Sequence, residues 1–89
     1  MDLKELRAEI DKLDDELVRL FVRRMEICAR VAEYKKENHL PILMPAREQE
    51  KLADVAEKAG PEMAEYTTKL YHLLFELSRD HQRNYTEVV

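Results

Sequence analysis

From Leu3 to Tyr34, apolar residues recur at alternating spacings of three and four. One line runs through Leu3, Ile10, Leu17, position 24 and Val31, and its companion through Leu6, Leu13, Leu20, Ile27 and Tyr34. This heptad pattern predicts a single helix over about residues 2–38. Pro41 and Pro45 end it and frame a short loop. A second helix is expected over 45–59, because proline is favoured at a first helical position and Gly60 followed by Pro61 closes the segment. A third is expected over 62–85, with Met63, Thr67, Leu70, Leu74 and Leu77 along one stripe. No strand signal, internal repeat or low-complexity segment interrupts this reading, and the closing TEVV (86–89) reads as loose.

The first helix sets a problem of size. At 1.5 Å per residue it is roughly 50 Å long. A compact globule of this chain length has a radius of gyration of about 12 Å, hence a diameter of roughly 30 Å. A helix that overhangs its own domain, with an apolar seam along its whole length, needs a second copy to cover it. The expected architecture is therefore all-α: one domain over 1–89, three helices per chain, intertwined as a homodimer with the long helices packed together.

Composition narrows the function. The chain has 89 residues with one glycine, three prolines and 38% charged residues, in keeping with a nearly all-helical protein. Its net charge of −4 argues against generic nucleic-acid binding but leaves room for a small anion held by a few focused cations. The single cysteine, Cys28, excludes an internal disulfide framework and fits a reducing cytoplasm. MDLKEL is charged from the outset and so unlike a signal peptide, and the longest uncharged run, NHLPILMPA, is too short to span a bilayer. A soluble, cytoplasmic chain without membrane partners is expected.

Several polar residues stand where the pattern asks for apolar ones. Arg24 occupies a seam position, either as an interface salt bridge or snorkelling side chain, or as a cation pointing into a pocket between helices. Lys35 lies eleven residues on, three turns plus about 20°, so the two share a face about 16 Å apart along the axis. They can converge on one small anion, with Cys28 and Val31 as its floor. Cys28 itself reads as a small core residue rather than a nucleophile. Arg47 and Glu48 sit at the start of the second helix, where the dipole disfavours a cation. Glu48 also heads the otherwise buried stripe Leu52, Val55, Ala59. On the third helix, Tyr71, Leu74 and Phe75 lead to Ser78 and Gln82, so an apolar face turns polar. Each of these alone reads as well as a solvated helix end. His39, His72 and His81 lack metal-ligand spacing, and there is no Gly-rich phosphate loop or nucleophile–His–acid set. Neither metal nor cofactor is expected.

Taken together, LRAEIDKLDDEL with Arg7, VRRMEICARVAEYK with Arg24 and Lys35, the proline loop, AREQE with Arg47 and Glu48, and LYHLLFELSRDHQ with Ser78 and Gln82 resemble the all-helical class of chorismate mutases over nearly the whole chain. The resemblance implies an intertwined dimer with two active sites. It also implies a pericyclic rearrangement of chorismate to prephenate that needs no proton transfer, covalent intermediate or metal. Catalysis would then rest on holding a chair-like conformer and on charge complementary to the transition state. Lys35 and Gln82 would donate to the ether oxygen, and Arg24 would hold one carboxylate. Arg7, about 25 Å from Arg24 along the helix and roughly 100° around it, would reach the second carboxylate only from the partner subunit. Glu48 would accept from the ring hydroxyl with Arg47 beside it, Ser78 would help fix a carboxylate, and the loop framed by Pro41 and Pro45 would cover the pocket. Just before Pro45 the family commonly has Asp. Here Met44 leaves only a backbone group to meet the substrate.

Two other functions fit part of the pattern. A lyase on the same fold eliminates pyruvate from isochorismate, but that branch lacks the Glu and Ser standing here as Glu48 and Ser78; only Met44 leans its way. A non-catalytic helical dimer or regulatory module would explain the seam but not a convergence of Arg24, Lys35 and Gln82. Many family members are fused to a neighbouring enzyme of aromatic biosynthesis, for which these 89 residues leave no room, and docking onto a separate pathway enzyme is not legible in the residues.

Overall fold

In the computed structural model, residues 1–87 are described, with side chains to Asn84. Three helices follow one another: α1 (Leu3–Glu37), α2 (Pro45–Ala59) and α3 (Ala64–Glu87). The α1 helix begins where Asp2 accepts a 2.8 Å hydrogen bond from the Glu5 N–H, satisfying one orphan donor of the first turn. It stops ahead of Pro41 by a backbone device. His39 turns left-handed at φ 55°, so that Leu40 N donates to Lys35 O at 2.7 Å and His39 N to Lys36 O at 3.3 Å. This is the Schellman arrangement, held here without its usual glycine. Gly60, at φ 84°, closes α2 in a backbone region that suits glycine.

The third helix begins two residues later than the sequence pattern suggests. Residues 61–63 form a turn in which the Gly60 carbonyl accepts from Met63 N and Ala64 N. Of the tail expected to be loose, 86 and 87 continue the helix, and 88 and 89 lie outside the described residues.

The α3 helix packs against both others, whereas α1 and α2 do not pack on each other. The inner face of α1 runs through Phe21, Arg24, Cys28, Ala32 and Lys35, and that of α3 through Tyr71, Phe75, Ser78 and Gln82. Only Ala32, Val55 and Phe75 count as buried apolar residues among the described side chains. The stripe Met63, Thr67, Leu70, Leu74, Leu77 is not the face α3 turns inward: Met63, Leu70 and Leu77 are exposed. The apolar arc of α3 is wider than one contact needs. Its outer half lines an open apolar trough with Leu17, Val18 and Leu20 of α1.

The chain measures 53 × 29 × 14 Å with a radius of gyration of 16.1 Å, well beyond a compact globule of this length. All of residues 1–20 are exposed, and the nine apolar seam residues from Leu3 to Tyr34 are 41–64% exposed. The long helix does overhang the rest of its own chain. Among the described residues, no helix is long and apolar enough to cross a membrane.

The start of α2 is weakly held, because Met44 sits at the N-cap without a side-chain cap hydrogen bond. Met44→Asp is expected to raise the unfolding free energy by about 0.5–2 kcal/mol. Urea denaturation with an unchanged m-value checks this, and an unchanged or lower midpoint would rule the cap out.

Candidate active site

Where α1, α2 and α3 converge with the 38–44 loop, a cleft opens. It is lined by Arg24, Cys28 and Lys35 of α1, Ile42 and Met44 of the loop, Arg47, Glu48 and Lys51 of α2, and Phe75, Ser78, Arg79 and Gln82 of α3. All the same-chain residues singled out for chemistry therefore line one space. The helical repeat explains it: 24, 28 and 35 fall on one face of α1, 48 and 51 on one face of α2, and 75, 78, 79 and 82 on one face of α3.

Arg24 is the hub of the α1 side. Its guanidinium donates to Ser78 Oγ at 3.3 Å and to Cys28 Sγ at 3.8 Å, and it lies 5.9 Å from the centroid of the Tyr71 ring. The Ser78 hydroxyl in turn donates to Cys28 Sγ at 2.9 Å. The thiol thus serves as a small acceptor that keeps serine and arginine in register. Tyr71 is itself braced edge-on by Phe75, with ring centroids 6.1 Å apart. Ser78 and Gln82 are 5% and 6% exposed, so they are not a solvated helix end but interior groups of the cleft wall.

At the other end of the cleft, Lys35 Nζ donates to the Ile42 carbonyl at 2.8 Å and so pins the proline loop over the site. Burial pulls the Lys35 ammonium below the ordinary lysine pKa, an effect opposed by charge on Cys28 and on Glu48. Five cationic side chains and one carboxylate line the cleft of a chain whose net charge is −4. The arrangement concentrates positive potential in a partly desolvated space and suits a small polyanion.

Two expectations change. Val31 does not floor the cleft; it is 41% exposed, because residue 31 lies on the outer seam while 28 and 32 turn inward. Arg47 does not pair with Glu48. It reaches Glu50 Oε1 at 3.2 Å on the exposed side of α2, and only its flank touches the cleft. The partner of Glu48 is Arg79 of α3, whose guanidinium ion-pairs with Oε2. Arg7 lies far along α1 beside Leu3, Lys4, Ala8 and Asp11, outside this cleft.

The sequence reading missed Arg79, although position 79 is one helical turn beyond Phe75 and shares its face. It also missed Lys51, one turn after Glu48, which leans on Asp54 at 3.5 Å while Asp54 takes a 2.9 Å bond from Lys58. Lys58 and Lys51 together hold the Asp54 carboxyl below its ordinary pKa, with the Lys58 hydrogen bond the larger cause. Among the described residues, no group of His, Cys, Asp and Glu is placed to hold a metal ion.

Residues 6–83 match the profile of the family described as chorismate mutase type II. The chain belongs to that family. It is 48% identical over 61 residues to the T-protein of Haemophilus influenzae, covering 65% of this chain and 16% of the relative. It is 47% identical over 49 residues to a bifunctional chorismate mutase/prephenate dehydratase of Aquifex aeolicus, covering 55% and 14%. A 4-amino-4-deoxychorismate mutase of Streptomyces venezuelae is 39% identical over 46 residues, covering 52% and 45%. The matches span about one sixth or less of the first two relatives and less than half of the third. No solved structure gives a significant match.

In this chorismate mutase type II chain the titration of Lys35 reports directly on the cleft. Glu48 is one of the charges that raise the Lys35 pKa. Glu48→Gln is therefore expected to lower it further, read from an NMR titration of the Lys35 Nζ or Cε resonance. A shift upward would mean that Glu48 does not act on Lys35 electrostatically.

Proposed function

We propose that this chain is a chorismate mutase that converts chorismate to prephenate, a step towards phenylalanine and tyrosine, and that it works as a homodimer. The observation that carries the reading is the convergence of Arg24, Lys35, Glu48, Ser78 and Gln82 on one cleft in a chain of this family.

In the proposed mechanism, Arg24, braced by Ser78 and Tyr71, binds one substrate carboxylate, with Ser78 alongside. Lys35 and the Gln82 amide donate to the ether oxygen, which gains negative charge as its bond to carbon stretches. Donors fixed in a partly dry cleft stabilise that charge without reorganising at the moment of reaction. The same groups hold the side chain over the ring, so that the two carbons to be joined lie near bonding distance. Glu48 accepts from the ring hydroxyl through the oxygen not engaged by Arg79. Met44 contributes only backbone at the loop edge, and Arg47 supports the field from the rim.

The second carboxylate is assigned to Arg7 of the partner chain. Support comes from the geometry of α1, which carries Arg7 away from its own cleft, and from the uncovered seam. Removing the exposed halves of nine such side chains from water contributes on the order of 10 kcal/mol per chain. Two chains together can offset the roughly 4–15 kcal/mol cost of association. The single thiol, Cys28, suits the reducing cytoplasm in which we place the enzyme.

Purified protein is expected to consume chorismate with prephenate as product, and Arg24→Ala or Lys35→Ala to lower kcat/KM by about a hundredfold or more. A helical dimer that releases pyruvate, or that leaves chorismate unchanged, would reject the assignment. Mixing is sharper still. Arg7→Ala and Arg24→Ala chains, each inactive alone, are expected to regain about a quarter of wild-type activity after joint refolding. Random pairing makes about half the dimers mixed, and each mixed dimer has one intact site of two. No regain would place both arginines in the same chain's site or in none.

A further inference from the structure

The ion pair between Glu48 and Arg79 enters the mechanism above only by setting which Glu48 oxygen meets the ring hydroxyl, yet it joins the single carboxylate lining the cleft to the neighbouring helix. Their side chains are only 26% and 24% exposed, so this is not a solvent-screened surface contact. Arg79 follows Ser78 directly and precedes Gln82 by three residues, so the helical face that builds the cleft wall also delivers the guanidinium. The contact uses Oε2 of Glu48 and leaves Oε1 outside the pair.

An unneutralised carboxylate in a partly dry pocket attracts a cation. A carboxylate already held by a guanidinium instead offers one oriented lone pair to a neutral donor. The other charged groups lining the cleft are all positive: Arg24 and Lys35 from α1, with Arg47 and Lys51 from α2.

We propose that Arg79 is a positioning residue that holds and neutralises Glu48, so that the cleft selects a ring substituent that is a neutral hydroxyl over one that is an ammonium. The inference rests on the mutase reading for the placement of the substrate ring against Glu48. Selectivity here is a difference between two affinities, set by repulsion as much as by attraction.

The experiment compares chorismate with its ring-amino analogue, by turnover and by calorimetric binding, in the wild type, Arg79→Met, Arg79→Lys and the double variant Arg79→Met/Glu48→Gln. The wild type is expected to prefer the hydroxyl substrate in kcat/KM and in Kd. Arg79→Met should shift that preference towards the amine by about tenfold or more, Arg79→Lys should restore most of it, and Glu48→Gln should remove the effect of Arg79→Met. A merely structural role would lower both substrates together and leave the ratio unmoved, which overturns the proposal, as does a wild type that prefers the amine. Binding without turnover fails the mutase reading alone, and the Kd ratio then decides the role of Arg79. Binding of neither ligand overturns both.

Discussion

A 35-residue helix is too long for the chain that makes it, and most else follows from that mismatch. Two shorter helices cannot cover α1. Only α3 docks on it, along its C-terminal half through Phe21, Arg24, Cys28, Ala32 and Lys35, while α2 packs on α3, and the N-terminal half stays bare. The cleft therefore forms at one end of a lever, while the other end presents apolar side chains to whatever will take them. With so few fully buried apolar residues, a single chain has too small a core to be more than marginally stable. In the proposed dimer, stability and completeness of the site depend on the same surface.

Within the cleft, polar groups are held by a short relay rather than by a broad network. Tyr71 supports the Arg24 guanidinium from its ring face, Ser78 accepts from it, and Cys28 accepts from both. Each of these is a modest interaction, of about 1 kcal/mol or less alone. Together they fix the direction of a side chain that has several rotatable bonds. Across the cleft, Lys35 and Glu48 are each tied to a different element, the loop and α3. The cations are thus anchored before any ligand arrives, which lowers the cost of ordering them on binding.

How much of this was legible in the residues follows from periodicity. The three helices, the overhang and the co-facial pair Arg24 and Lys35 follow from spacing, because a helix fixes which positions share a face. Glu48, Ser78 and Gln82 were legible as polar interruptions of apolar stripes. Which face of α3 turns inward was not, because Leu70, Leu74 and Leu77 make a stripe as apolar as the one through Tyr71 and Phe75. Deciding between them requires knowing that α3 lies between two partners. The pairing of Glu48 with Arg79 was hidden for a related reason. Contacts between residues 31 apart depend on how helices cross, and adjacent Arg47 was the nearer candidate in sequence but points to Glu50.

The bond from Lys35 to the Ile42 carbonyl makes the 38–44 connection unlike an ordinary surface loop. Connections usually absorb insertions and deletions with little effect, since their ends are fixed by the elements they join. Here an internal carbonyl sets the reach of a cleft ammonium, so each residue added or removed between Asn38 and Pro45 moves a charge as well as a tether. The turn at 61–63 contributes no residue to the cleft lining. Length variation between relatives of this chain thus has somewhere harmless to go, and it is the second connection, not the first.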